Sequence, residues 1–237
     1  MKILATSGGF RPGGRTWLEP GALIDHAFTL AGRPGQPRFC YVGTAGGDQA
    51  AQRAAVHEAF YGTPVRVSCL SLFPMPTVED VRAHLLAQDV IWVGGGSVAN
   101  LLALWRLHGV DEAMRAAWEG GVVLGGVSAG SICWHVGGPT DSFGPVLRPV
   151  TDGLGLVPYG NGVHYDSEEQ RRPLLHRLVG EGTLPTSYAT DDGVGLVYDG
   201  SRLGEAVADR PDVAAYEVRR RADGQVVETR ISPRVLG

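Results

Sequence analysis

The chain has 237 residues, is 43% hydrophobic and carries a formal net charge of −4 at pH 7. That length suits one large α/β domain and that apolar content a core on both faces of a sheet; with no interior stretch reading as a linker, the expectation is a single domain, 1–237. The basic residues, all arginine except Lys2, are scattered rather than gathered into a nucleic-acid stripe, and no run approaches the roughly 18 apolar residues of a membrane span.

Met1-Lys-Ile-Leu-Ala-Thr-Ser-Gly-Gly reads as a first strand and loop, not a signal peptide. Strand-like and helix-like runs then alternate: a strand at 38–42, a helix near 49–61, a strand at 65–72, a helix near 78–87, a strand at 90–93, helices within 98–107 and 111–119, and a strand at 122–127; another helix lies near 20–31. The alternation predicts a mostly parallel sheet with helices on both faces. Small residues close the strands at 7–9, 43–47 and 94–96, and in such sheets ligands bind where those loops gather, at the carboxyl ends of the strands. Cys40, Cys69 and Cys133 show neither CxxC nor metal spacing, which reads as reduced core thiols in a cytoplasmic protein.

Gly126-Val-Ser-Ala-Gly130 stands between the last of those strands and a helix beginning at Ser131-Ile-Cys-Trp134. Glycines on either side of Ser128 let the backbone turn sharply and lift the hydroxyl above the sheet edge, with the amide of Ala129 aimed at the same space. The loop Gly94-Gly-Gly-Ser97 lacks the spaced glycines of a dinucleotide turn and the Lys-Ser/Thr pair of a P-loop. Its better reading is that Gly95 or Gly96 brings a second amide beside that of Ala129 to form an oxyanion hole. No metal or organic cofactor is expected.

A serine nucleophile needs a base. His26, His57, His84, His108 and His176 fall in or at the ends of amphipathic helices. His135 lies seven residues past Ser128, which in a continuing helix is about 10 Å along the axis. His164 is set apart on irregular chain after Gly153–Val163 and before a helix at 168–179, where function concentrates. Asp191 and Asp192, before Gly193, offer a carboxylate to orient it; in extended chain only one of the two should face His164. Asp141, downstream of the elbow, is a second source. The tail reads as a hairpin of 214–221 and 226–232 at a sheet edge or packed on the domain.

With these residues assembled, the chain resembles the serine peptidases of the peptidase E and cyanophycinase family. The landmarks are Val93-Gly-Gly-Gly-Ser97, Gly126-Val-Ser-Ala-Gly130, Gly153-Leu-Gly-Leu-Val157 leading to His164-Tyr165, Glu169-Gln170-Arg171, and Asp192-Gly193. The resemblance implies a flavodoxin-like fold similar to class I glutamine amidotransferases, Ser128 as nucleophile, His164 as base and then acid, and a carboxylate at Asp192, with Asp141 also a candidate. A homodimer is a further implication. In the aspartyl-dipeptidase branch an arginine just before the helix start binds the substrate aspartate. Here the loop is short and Glu168 holds that place, which argues against strict Asp-X cleavage. Arg171 and Arg172 are candidates for binding a peptide carboxylate, or are helix surface paired with Glu168 and Glu169. The leading expectation is a dipeptidase or carboxypeptidase-like enzyme of short peptides. A cyanophycinase-like hydrolase of β-aspartyl-arginine units and an inactive binding protein of the same fold are the rivals.

Overall fold

The structure, a computed structural model, describes residues 1–237. In chain order the elements are β1 (Lys2–Thr6), β2 (Phe10–Pro12), β3 (Leu18–Pro20), α1 (Ala22–Ala31), β4 (Arg38–Val42), α2 (Ala50–Ala59), β5 (Arg66–Leu70), α3 (Val81–Leu86), β6 (Val90–Val93), α4 (Val98–His108), α5 (Val110–Glu119) and β7 (Val123–Val127). There follow α6 (Ala129–Ile132), β8 (Gly138–Thr140), β9 (Arg148–Val150), β10 (Gly160–Gly162), α7 (Arg171–Gly180), β11 (Ser187–Thr190), β12 (Val194–Asp199), β13 (Arg202–Ala208), β14 (Ala215–Arg220), β15 (Val226–Ile231) and β16 (Arg234–Val235).

Eight strands form the main sheet in the order β16-β13-β12-β1-β7-β6-β4-β5. From β1 to β5 every pairing is parallel, while β12 joins β1 antiparallel and β13 continues as its hairpin partner. The strands are apolar on both faces because both faces are covered. Ile3, Ala5, Cys40, Val42, Ile91, Val93 and Leu124 pack on α3 to α6 through Leu85, Trp105, Met114 and Ile132. Their chain neighbours Leu4, Phe39, Tyr41, Val90, Trp92 and Val123 pack the other way, on α1 and α2 through Leu23, Ile24, Val56 and Phe60. The period of two along each strand thus fills two cores at once.

A second sheet of four strands, β10-β11-β14-β15, carries α7 on its surface through Leu174, Leu175, Leu178 and Val179. The expected C-terminal hairpin is β14–β15 and forms the edge of this smaller sheet. The short pairs β2–β3 and β8–β9 and the strand β10 had no counterpart in the sequence reading. The helix expected from residue 168 begins at Arg171 instead, with Pro173 in its first turn, where the missing N–H costs no helical hydrogen bond. No helix is long and apolar enough to cross a membrane.

Candidate active site

The carboxyl ends of β1, β4, β6 and β7 open on one edge of the main sheet, and β7 ends in the elbow. Ser128 has φ 57° and ψ −114°, a conformation costly for a residue with a side chain. It is held by its own N–H donating to Thr6 O at 3.1 Å and by its carbonyl accepting from Ser131 and Ile132 at 2.9 and 3.0 Å. The flanking glycines are required by close approach. A Cβ on Gly126 would run into the Gly130 carbonyl, and one on Gly130 into the Val93 carbonyl at the end of β6. Three backbones therefore meet with no side chain between them. The α6 helix is a single turn, so its first amide, Ala129 N–H, has no partner within the helix.

The loop after β6 lies against this turn. A Cβ on Gly95 would stand 3.2 Å from Ser128 Cβ and 3.8 Å from its Oγ. The N–H groups of Gly95 and Gly96 donate to no protein acceptor, whereas Gly94 and Ser97 are tied to Val42 O and Ala45 O. Ser97 closes the loop by capping α4, its hydroxyl accepting from Asn100 N–H at 3.2 Å.

His164 and Asp192 arrive from the second sheet. β10 and β11 run parallel, in register from Gly160 beside Ser187 to Gly162 beside Ala189, so the residues just past their carboxyl ends emerge side by side. His164 Nδ1 lies 2.6 Å from Asp192 Oδ1. A carboxylate there requires Nδ1 to carry the proton, which leaves Nε2 free to accept one. His164 is in the left-handed region at φ 53°. Ser7, 3% exposed, joins the two sheets beneath it. Its hydroxyl accepts from His164 N–H at 3.1 Å and lies 2.7 Å from Thr190 Oγ1, and its carbonyl accepts from Gly193 N–H at 2.9 Å. The Ser128 hydroxyl makes no hydrogen bond to another group of the chain; bonds of this kind commonly tighten only when substrate binds.

The other candidates lie elsewhere. Asp191 points inward, its Oδ2 accepting from Ala214 N–H at 2.9 Å and from Tyr216 Oη at 3.3 Å, and burial pushes its carboxyl pKa up. Asp141 is exposed and lines a separate cavity of about 420 Å³ with Glu168, Glu169 and Gln170; it makes no bond to His164. Glu168 binds Arg171 Nε at 2.7 Å through Oε2. Arg171 and Arg172 differ from the expectation of free receptors for a peptide carboxylate. Arg171 is 2% exposed, with Nη1 donating to Pro139 O at 2.6 Å, so it is an interior tie between α7 and β8. Arg172 lies over the rings of Tyr165 and Tyr216, 4.4 and 4.6 Å from their centroids, and pairs with Glu228. Both guanidinium charges are already paired with carboxylates of the same chain.

A cavity of about 370 Å³ opens beside His164, Asp192, Gly95 and Val127, and its remaining wall includes Phe10, Leu18, Tyr41, Gln52 and Trp92. The sequence reading did not single out these wall residues or Ser7. For Ser7 the signal was present, since it begins the small-residue loop closing β1. For Phe10 and Leu18 it was not, because the β2–β3 hairpin that carries them is three residues per strand.

Residues 4–205 match the model of peptidase family S51. The chain is 37% identical over 226 residues to the uncharacterized peptidase YgaJ of Bacillus subtilis strain 168, covering 95% of this chain and 96% of that protein. It is 30% identical over 115 residues to peptidase E of Streptomyces coelicolor, covering 45% and 47% of the two chains. In architecture it is similar to the crystal structure of a peptidase from an acI-B1 Actinobacterium, with a TM-score of 0.65 at 15% identity over 98% of this chain and 94% of that one. With a family match that spans the elbow, His164 and Asp192, the chain belongs to peptidase family S51 and is a serine-type peptidase on a class I glutamine amidotransferase-like fold.

Proposed function

We propose that this chain hydrolyses short peptides through an acyl-enzyme on Ser128, with His164 as base and Asp192 as the carboxylate that orients it. The observation that carries the reading is the 2.6 Å contact between His164 Nδ1 and Asp192 in the cavity beside the strained serine. Ser128 Oγ attacks the scissile carbonyl carbon while His164 Nε2 takes its proton. The oxyanion is received by the free N–H of Gly95, with that of Gly96 next to it, and by Ala129 N–H. His164 then gives the proton to the departing amine, and water deprotonated by the same nitrogen releases the acid from Ser128. Asp192 holds the imidazole in the tautomer that both steps need.

The cavity beside His164 is at the small end of ligand sites, which favours a dipeptide or the end of a short peptide over a folded chain. Glu168, Glu169 and Asp141 line a separate cavity, and Glu168 stands where the aspartyl-dipeptidase branch carries its arginine, so strict selection of an aspartyl side chain is not expected. The test is a mass-spectrometric digest of dipeptides and short peptides, including Asp-X and β-Asp-Arg, by wild type and Ser128→Ala, alongside labelling with a fluorophosphonate. Cleavage and labelling that both disappear in the variant are the expected result; cleavage that survives in Ser128→Ala overturns the reading.

A further inference from the structure

A second cavity, of about 290 Å³, shares Gly95 with the first and is not lined by His164. Tyr41, Gln52 and Gly95 line both cavities, so the two volumes meet beside the loop that faces Ser128. The second one adds Gln49, Arg53 and the backbone of Gly43 and Gly46, and no carboxylate lines it. Its polar side chains are a phenol, two amides and one guanidinium. Arg53 is fixed by Nη1 donating to Ser71 Oγ at 2.8 Å. Arg11, Arg171, Arg172 and Arg210 are all paired with carboxylates within 4 Å, whereas Arg53 has no such partner. Tyr41 is packed with its hydroxyl against Gly94, where a Cβ would collide with it, and burial pushes its pKa up to about 12, so it stays a donor at neutral pH.

A polar recess with one planar cation that makes no contact ion pair, the Asp48 carboxylate acting on it only from beyond 4 Å, and with neighbouring donors suits a planar anion with two oxygens. We infer that this recess is the subsite for a carboxylate of the peptide substrate, with Arg53 as the cation that receives it. The inference rests on the peptidase reading above and adds to it what the substrate must carry. The carboxylate has two possible sources in a short peptide, the C-terminus and an acidic side chain. Arg53 is a substrate-positioning residue here, not a group that touches the reacting atoms.

The test uses Ser128→Ala, in which bound peptide is not turned over, and measures Kd for Ala-Ala, Ala-Ala amide and Asp-Ala amide. The expected result is that a ligand bearing a carboxylate binds about tenfold or more tightly than Ala-Ala amide, as a charge-assisted bond to a guanidinium provides. That advantage should vanish in Ser128→Ala/Arg53→Met and return in part with Arg53→Lys. Loss confined to Ala-Ala assigns the recess to the C-terminal carboxylate, and loss confined to Asp-Ala amide assigns it to the side chain; both support the subsite. No advantage for either carboxylate, or one that survives Arg53→Met, overturns it. Because the readout is a ratio on one protein, any loss of stability from the broken Ser71 bond affects both terms. Ser128-dependent turnover by wild type with a flat ratio sinks the subsite and leaves the peptidase reading standing. The expected ratio with no turnover of any peptide does the reverse.

Discussion

The proposed nucleophile and its proposed base are built by two different sheets in two different ways. Around Ser128, everything that matters lies within a few residues in sequence or across one strand pairing: β7, two glycines, the first amide of α6, and the Gly94–Gly96 loop from the adjacent β6. Around His164, nothing is local. Its carboxylate comes 28 residues later, its backbone is anchored on Ser7 from the start of the chain, and the strands that align them are three and four residues long. The first half is a motif, and the second exists only once β10 and β11 have paired beside the main sheet.

The sharpest way to break this comparison is to remove both halves together. Ser128→Ala and His164→Ala should each lower kcat/KM by roughly 10⁴-fold or more, and the double variant should be no worse than the worse single one, since residues that act as a unit are not additive. Losses that multiply in steady-state assays would mean the two do not act in one step. Next in size, Asp192→Asn should cost about 10⁴-fold in kcat by releasing the imidazole into the wrong tautomer. Asp141→Asn, on a residue facing another cavity, should change kcat less than about threefold. The opposite ranking would return Asp141 to the role of orienting acid.

A pH experiment probes the seam between elbow and main sheet. His135, fully buried, lies with Nδ1 2.9 Å from Ser131 O and Nε2 2.9 Å from Tyr198 Oη, and burial lowers its pKa to about 4. The unfolded chain takes up that proton at about pH 6.5, before the folded one does. Stability is therefore lost as pH falls from 6.5 to 4, by roughly 3 kcal/mol at about 1.4 kcal/mol per unit. His26 and His84, also lowered by burial, act in the same direction. Urea unfolding across that range should show a shallower slope in His135→Gln, and an unchanged slope would reject the assignment. A modest effect on turnover is expected from Ser7→Ala, about fivefold in kcat with KM little changed, because a neutral hydrogen bond holding the His164 backbone is worth about 1 kcal/mol. A change in KM alone would place Ser7 in binding rather than alignment.

The same contrast explains what could be read before the structure. β1, β4, β6 and β7 announce themselves by apolar runs that fill two cores, and the elbow by its glycines. Strands such as Gly160-Asn-Gly162 carry no hydrophobic period and are held by their neighbours, so of the second sheet only the β14–β15 hairpin was legible. Arg171 shows a signal that charge concealed. Residues 171, 174, 175, 178 and 179 are the buried positions of α7, spaced as one helical stripe, and Arg171 occupies the first place in an otherwise apolar row. Read as a charge beside Glu168 and Glu169 it looked like surface, whereas its spacing placed it inside.

The contact of Gly126, Gly130 and Val93 has a further consequence for how the chain tolerates change. With only backbone at that junction, the serine and the amides beside it shift as a single block. The histidine and aspartate, off a paired set of strands, form another. Substitutions in the helices and loops around each block can therefore be absorbed without detuning it. The coordinate that must be kept is the offset between the blocks, and in this chain Ser7 near the N-terminus spans it through its hydroxyl and carbonyl, together with the Ser131 hydroxyl that donates to Asn161 Oδ1 at 2.8 Å.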